Sequence, residues 1–162
     1  MMLQGIRSAM HTRDRYEDPV ARAKALATMP VAEMYSKLNI SQANPSDEDK
    51  DKLLMELMRW FKEDFFTWVN NPPCPGCGSI DKVEGERTDA ALYHEKMHGA
   101  TVAEVYSCIG CNCEFRYPRF NSASHLLETR SGRCGEWANC FCLCAVSLGF
   151  EVRYIRDFTD HV

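Results

Sequence analysis

The run Gly132-Arg133-Cys134-Gly135-Glu136-Trp137-Ala138-Asn139-Cys140-Phe141 sets a cysteine among glycines where a small, apolar, helix-forming stretch begins. A thiol at a helix N-terminus meets the partial positive charge of the free N–H groups there, and the flanking Arg130 and Arg133 add to it. Such surroundings lower a thiol pKa from about 8.5 into the range of about 3.5 to 7.5, which predicts a nucleophilic thiolate at Cys134. The glycines leave room for a substrate carbonyl and let the Cys134 N–H serve as an oxyanion donor. Cys140, Cys142 and Cys144 follow among Phe141, Leu143, Ala145 and Val146, where a buried thiol without a charge partner is inert core. The pattern predicts a buried helix over Cys134 to Ser147, closed by Gly149, then a strand over Phe150 to Phe158.

A thiolate that cleaves an amide needs a partner to protonate the leaving amine. Downstream, Asp157-Phe158-Thr159-Asp160-His161-Val162 offers His161 as that acid/base imidazole. Upstream, Ser122 to Glu128 reads as a short helix, and before it stand two C-x2-C knuckles, Cys74-Pro-Gly-Cys77 and Cys108-Ile-Gly-Cys111. Each knuckle supplies two thiolates from one tight turn, and four thiolates suit one tetrahedral structural zinc. The stretch between Cys77 and Cys108 is longer than the usual zinc-ribbon spacing. Cys111 is preferred as fourth ligand because it completes a knuckle, with Cys113 the competitor where the chain turns into Phe115-Arg116-Tyr117. The segment Asp81 to Thr101 reads as a loop or weak hairpin. Its His94 and His98 are a weak metal signal and are expected to be solvated.

The N-terminal part is helical. Tyr16 to Lys37 carries apolar residues at three-to-four spacing, broken at Met29-Pro30. Ser46 is an N-cap for the acidic turn Asp47-Glu48-Asp49. The helix behind it places Leu54, Leu57, Met58, Phe61, Phe65 and Trp68 on one core face and runs to Asn70-Asn71-Pro72-Pro73. The resulting organisation is a helical part over 1–73, a zinc-binding lobe over 74–118, and a catalytic cysteine helix with its following strand over 119–162.

With 162 residues, 45% hydrophobic, the chain can bury a core. A formal net charge of -4 argues against nucleic acid or an acidic membrane held by bulk charge, and no stretch is apolar enough for a membrane span. The start lacks the apolar core of a secretory signal. Nine cysteines then read as metal ligands, a reactive thiol and buried hydrophobes of an intracellular protein, not as a disulfide framework.

The Cys134 run, the Asp157 to Val162 run, Tyr16-Glu17-Asp18-Pro19, Trp60-Phe61-Lys62-Glu63, Trp68-Val69-Asn70-Asn71, the knuckles and Arg116-Tyr117-Pro118-Arg119 together resemble the core of the cytoplasmic peptide:N-glycanases, members of the transglutaminase-like superfamily. The resemblance spans nearly the whole chain. It implies an α+β, transglutaminase-like fold with a zinc lobe and an antiparallel sheet of which only the first strands are present. It implies hydrolysis of the amide joining an N-glycan to asparagine, with Cys134 as nucleophile and His161 as general base. It further implies one structural Zn2+ held by Cys74, Cys77, Cys108 and Cys111, with misfolded N-glycoproteins as substrates. A proteasomal ubiquitin-receptor shuttle would be a partner, and the location cytoplasmic, extending to the nucleus. The family's triad aspartate follows the histidine on a later strand and has no counterpart here. The expectation is therefore a core truncated at both ends and poorly active by itself. The alternative is a non-catalytic zinc-stabilised binding module.

Overall fold

The computed structural model describes residues 16–154, which divide into two compact units: 16–66 with 138–154, and Thr67–Trp137.

The first unit is helical, and its helices begin and end where the local chemistry dictates. Asp18 caps α1 (Pro19–Thr28) by accepting from the N–H groups of Val20 at 3.2 Å and Ala21 at 3.3 Å, with Pro19 preset for the first helical turn. Met29, forced out of helical geometry by Pro30, ends it, and α2 (Val31–Leu38) follows and stops at Asn39 in the left-handed region. Ser46 caps α3 (Asp47–Trp60) as the sequence predicts, and Asp49 accepts from the Ser46 N–H in return, completing a capping box.

Beyond Trp60 the helix does not run on to Asn70. One π-helical turn, Phe61–Phe65, intervenes, closed by the Phe66 N–H donating to the Phe61 carbonyl at 2.9 Å. The wider turn shifts the phase of the apolar stripe. The residues it buries are Leu53, Leu57, Trp60, Phe61, Phe65 and Phe66, whereas Met58 is exposed and Trp68 lies beyond the helix, half exposed. Trp60 stacks on Phe65 at 4.5 Å, Phe61 stacks on Phe66 at 5.2 Å, and the edge of Phe61 meets Phe141 at 5.3 Å. Phe61 thus sits at the centre of an aromatic cluster, a position where truncation to alanine costs about 3–5 kcal/mol. Glu56 is the one carboxylate on the buried face of α3. Arg59 and Lys37 hold it, and their charges keep its carboxyl near 2, well below the usual range.

The second unit is built on a three-stranded antiparallel sheet in the order β2 (Val83–Ala90), β3 (Val102–Cys108), β4 (Cys113–Pro118). The span expected as a loop or weak hairpin is thus an eight-residue strand followed by the short helix α4 (Tyr93–Met97). A polar sequence hides β2, because nearly all its side chains are exposed. Pairing with β3 and the Arg87–Glu114 ion pair hold it instead, and a bulge lies between Gly85 and Arg87. Helix α5 (Ala123–Thr129) forms within a residue of the expected span, with Ser122 as its N-cap instead of its first helical residue. Two-residue strands β1 (Thr67–Trp68) and β5 (Ser131–Gly132) pair in parallel, bringing the two ends of this unit together.

Helix α6 (Cys134–Ser147) forms as the sequence predicts. Leu143, Cys140 and Cys144 are fully buried, and Gly149 takes φ 91° just past its end. The strand expected from Phe150 is not formed over 150–154, and its remainder lies outside the described residues. No antiparallel sheet beside α6 is seen: among the described residues the only antiparallel sheet is β2–β3–β4, which bears the second cysteine knuckle between β3 and β4.

Candidate functional site

Cys134 is the first residue of α6 and is exposed. Leading N–H groups of a helix have no intrahelical acceptor, so the thiol stands at the positive end of the helix dipole. What fixes this end of the helix is a pair of acid–base contacts that sequence reasoning missed. Glu136, buried in the first turn, reaches back to accept the Arg133 N–H at 3.1 Å and takes a forked pair from Arg119 at 2.6 and 2.8 Å. Arg133 turns its guanidinium away to Glu104 at 2.7 and 2.8 Å, to the carbonyls of Val69 and Asn70, and to the Tyr106 hydroxyl. Arg133 is therefore not a free cation beside the thiol, contrary to expectation. It is a strut that ties β1 and β3 to the head of α6. The Arg133-x-x-Glu136 spacing, that of a half capping box, was the available signal.

The two glycines play different parts. Gly132 is buried, and a Cβ there would fall against Cβ and Cγ of Glu136, so the missing side chain serves packing and not a substrate. At Gly135 a Cβ would meet nothing within 4 Å, so open space lies next to Cys134. Trp137, one helical turn on, packs its ring 6.1 Å from that of Trp68. By contrast Cys140, Cys142 and Cys144 are buried as predicted, and burial pushes the thiols of Cys140 and Cys142 up. His161 lies outside the described residues.

The four knuckle cysteines converge. Their sulfurs all lie within 4.8 Å of one another, with Cys74 and Cys108 buried and Cys77 and Cys111 exposed. Both knuckles are built alike. The N–H four residues on donates to the carbonyl of the first cysteine at 2.8 Å, from Gly78 to Cys74 and from Asn112 to Cys108, and both donors take positive φ. Gly76 turns its N–H toward the Cys74 sulfur at 3.4 Å, and a Cβ there would touch the sulfurs of Cys111, Cys74 and Cys113 at ordinary contact distance. A tetrahedral zinc thiolate with bonds of about 2.3 Å has sulfur–sulfur edges of about 3.8 Å. The 3.4 Å between Cys74 and Cys111 and 3.6 Å between Cys77 and Cys108 come close to that, so the donor set could hold a soft metal ion. Burial works against charge on Cys74. Donation from Cys113, from the N–H groups of Cys77 and Gly76 and from Cys111 outweighs it and brings that thiol down to about 6.

Among the described residues no group of three or more metal donors includes His94 or His98, and both are exposed. His98 instead stacks on His125 at 3.9 Å, and both rings meet the edge of Phe120.

Residues 84–162 match the family model of the transglutaminase-like superfamily. The chain is 44% identical over 170 residues to a peptide-N(4)-(N-acetyl-beta-glucosaminyl)asparagine amidase of Mus musculus, covering 99% of this chain and 26% of the relative. It is 48% identical over 157 residues to the amidase of Rattus norvegicus, covering 91% of this chain and 24% of the relative. Against that of Yarrowia lipolytica it is 41% identical over 151 residues, covering 91% and 42%. The chain thus spans about a quarter of the length of the mammalian relatives it matches. Because the matched model takes in Cys134 and α6, and the likeness to these amidases runs through the knuckles and the helices before them, residues 84–162 carry a domain of the transglutaminase-like superfamily.

Proposed function

We propose that this chain carries the nucleophile of an amidase that removes N-linked glycans by cleaving the bond between the sugar and the asparagine side chain. The observation that supports it most is identity of 41–48% to amidases of that name along at least nine-tenths of the chain, with Cys134 exposed at a helix start inside the segment shared with the superfamily.

The Cys134 sulfur attacks the carbonyl carbon of the glycosylated asparagine side chain, and the N–H groups at the head of α6 take up the negative charge that forms on the oxygen. His161 gives a proton to the departing glycosylamine. Water, deprotonated by His161, then attacks the thioester, leaving aspartate and the free thiol. The open side of Gly135 admits the substrate, while Arg133, Glu104, Arg119 and Glu136 keep the head of the helix in place. Cys74, Cys77 and Cys108 with a fourth cysteine would hold one Zn2+, which would supply structural stability and no chemistry to the steps above. An amide in a folded glycoprotein is hard to bring to such a thiol, so misfolded N-glycoproteins of the cytoplasm and nucleus are the substrates. A shuttle protein bearing them to the proteasome is the partner.

The test is release of a high-mannose glycan from a denatured glycoprotein, read together with conversion of the carrier asparagine to aspartate. Both should be seen where a carboxylate partner for His161 is supplied and should be weak without it, and Cys134→Ser and His161→Ala should abolish both. Release that persists in Cys134→Ser removes this mechanism, and glycoprotein binding without release in any form of the protein identifies a binding module.

A further inference from the structure

Beside the four knuckle sulfurs, which lie within 4.8 Å of one another, stands a fifth cysteine that is not one of that group. Cys113 lies outside both knuckles, yet its sulfur is 3.2 Å from that of Cys74 and 3.3 Å from that of Cys111. Its position is not set by a knuckle turn. Cys113 opens β4, and the ladder pairs it with Cys108, the last residue of β3, so strand register delivers it to the cluster. The sulfurs of Cys74, Cys111 and Cys113 surround Gly76, lying 3.4 to 3.7 Å from where its Cβ would be. Cys111 is exposed and Cys113 half-buried, whereas Cys74 and Cys108 are buried. The donor set therefore has a buried part and two sulfurs that approach Cys74 from the same side.

We infer that Cys111 and Cys113 are alternative fourth ligands of one metal ion. The site then has two overlapping four-thiolate sets that share Cys74, Cys77 and Cys108. Four-coordinate zinc admits one of the pair at a time, and the sulfur left out stays against the bound thiolates, ready to replace its neighbour. The exchange is a ligand substitution: one zinc–sulfur bond forms as another breaks, and the proton of the incoming thiol passes to the outgoing one. This rests on the zinc reading above.

Zinc affinity by chelator competition and the absorption of the Co2+-loaded protein test it, with Cys108→Ser as the reference for loss of a shared ligand. Cys111→Ser and Cys113→Ser should each bind one metal within about tenfold of the unaltered protein and keep the Co2+ spectrum of four thiolates. The double variant should fall on the order of 100-fold, as Cys108→Ser does alone. A Cys111→Ser variant as weak as Cys108→Ser, with Cys113→Ser unaffected, overturns the inference and leaves the zinc reading standing. No metal in the unaltered protein overturns both. Alkylation of the unaltered zinc-loaded protein needs no variant to fold. Peptide mapping should find either Cys111 or Cys113 labelled in a given molecule, with Cys74, Cys77 and Cys108 protected. Label confined to Cys113 would show that Cys111 is the sole fourth ligand.

Discussion

Replacing Glu104 by glutamine keeps the shape of the side chain and removes the charge that two arginines share. Its carboxylate accepts from Arg119 at 2.7 Å, from Arg133 at 2.7 and 2.8 Å, and from the Tyr106 hydroxyl at 2.6 Å. Burial alone would raise its carboxyl, but the donors Arg133, Tyr106 and Arg119 prevail and hold it near 2, against an ordinary 4.5. At about 1.4 kcal/mol per pH unit that difference is worth about 3 kcal/mol. Solvent reaches 21% of the side chain and screens part of the interaction, which brings the expected loss to about 2 kcal/mol at neutral pH. Because the folded-state pKa is depressed, the stabilisation is complete above the unfolded value near 4.5 and is lost as pH falls toward 2. Urea unfolding followed by the fluorescence of Trp68 and Trp137 reads it. Glu104→Gln should be about 2 kcal/mol less stable at pH 7, and the gap should close between about pH 5 and pH 2. A gap under about 0.5 kcal/mol at pH 7, or one that does not change with pH, would refute the assignment of Glu104 as the shared anion.

Gly132→Ala should destabilise the protein by about 1–3 kcal/mol, because Arg119 and the Arg133 N–H pin the Glu136 side chain that the new methyl meets. Gly135→Ala, with nothing within 4 Å, should leave stability unchanged or slightly raised, and chemical denaturation of the two side by side checks the contrast. Iodoacetamide at neutral pH should label exposed Cys134 well before Cys140, Cys142 or Cys144, which are at most 7% exposed; peptide mapping with equal rates would remove Cys134 as the accessible thiol. Chelation should melt the β2–β4 sheet, seen as loss of hydrogen-exchange protection in Val102–Cys108, because Cys108 ends β3 and Cys113 begins β4.

Local signals with a fixed geometry were legible in the sequence: the Ser46 cap, the break at Met29-Pro30, the glycine after α6 and the two knuckles. Each is decided by a few adjacent residues. Features set by partners were not. Strand β2 has too few apolar residues to show a period and exists because β3 pairs with it. The π-helical turn is invisible to a search at 3.6 residues per turn, so the apolar face was assigned to Leu54 and Met58 in place of Leu53 and Trp60. At the candidate site, Cys134 stood out through its glycines, but the role of Arg133 did not. A guanidinium near a thiol reads as an activating charge until the carboxylate that claims it, Glu104 on a distant strand, is known.

The parallel pairing of β1 with β5 has a kinetic corollary. Two residues a side make too short a ladder to persist alone, and the Arg133–Val69 bond that reinforces it joins positions 64 apart. Closing a chain loop of that length costs about 4 kcal/mol of entropy. So costly a closure forms last, after the intervening three-stranded sheet has collapsed and shortened the distance to be spanned. The thiol that the glycine-rich run presents is accordingly set in place at the end of folding. A nascent chain would acquire its sulfur cluster before Cys134 is positioned.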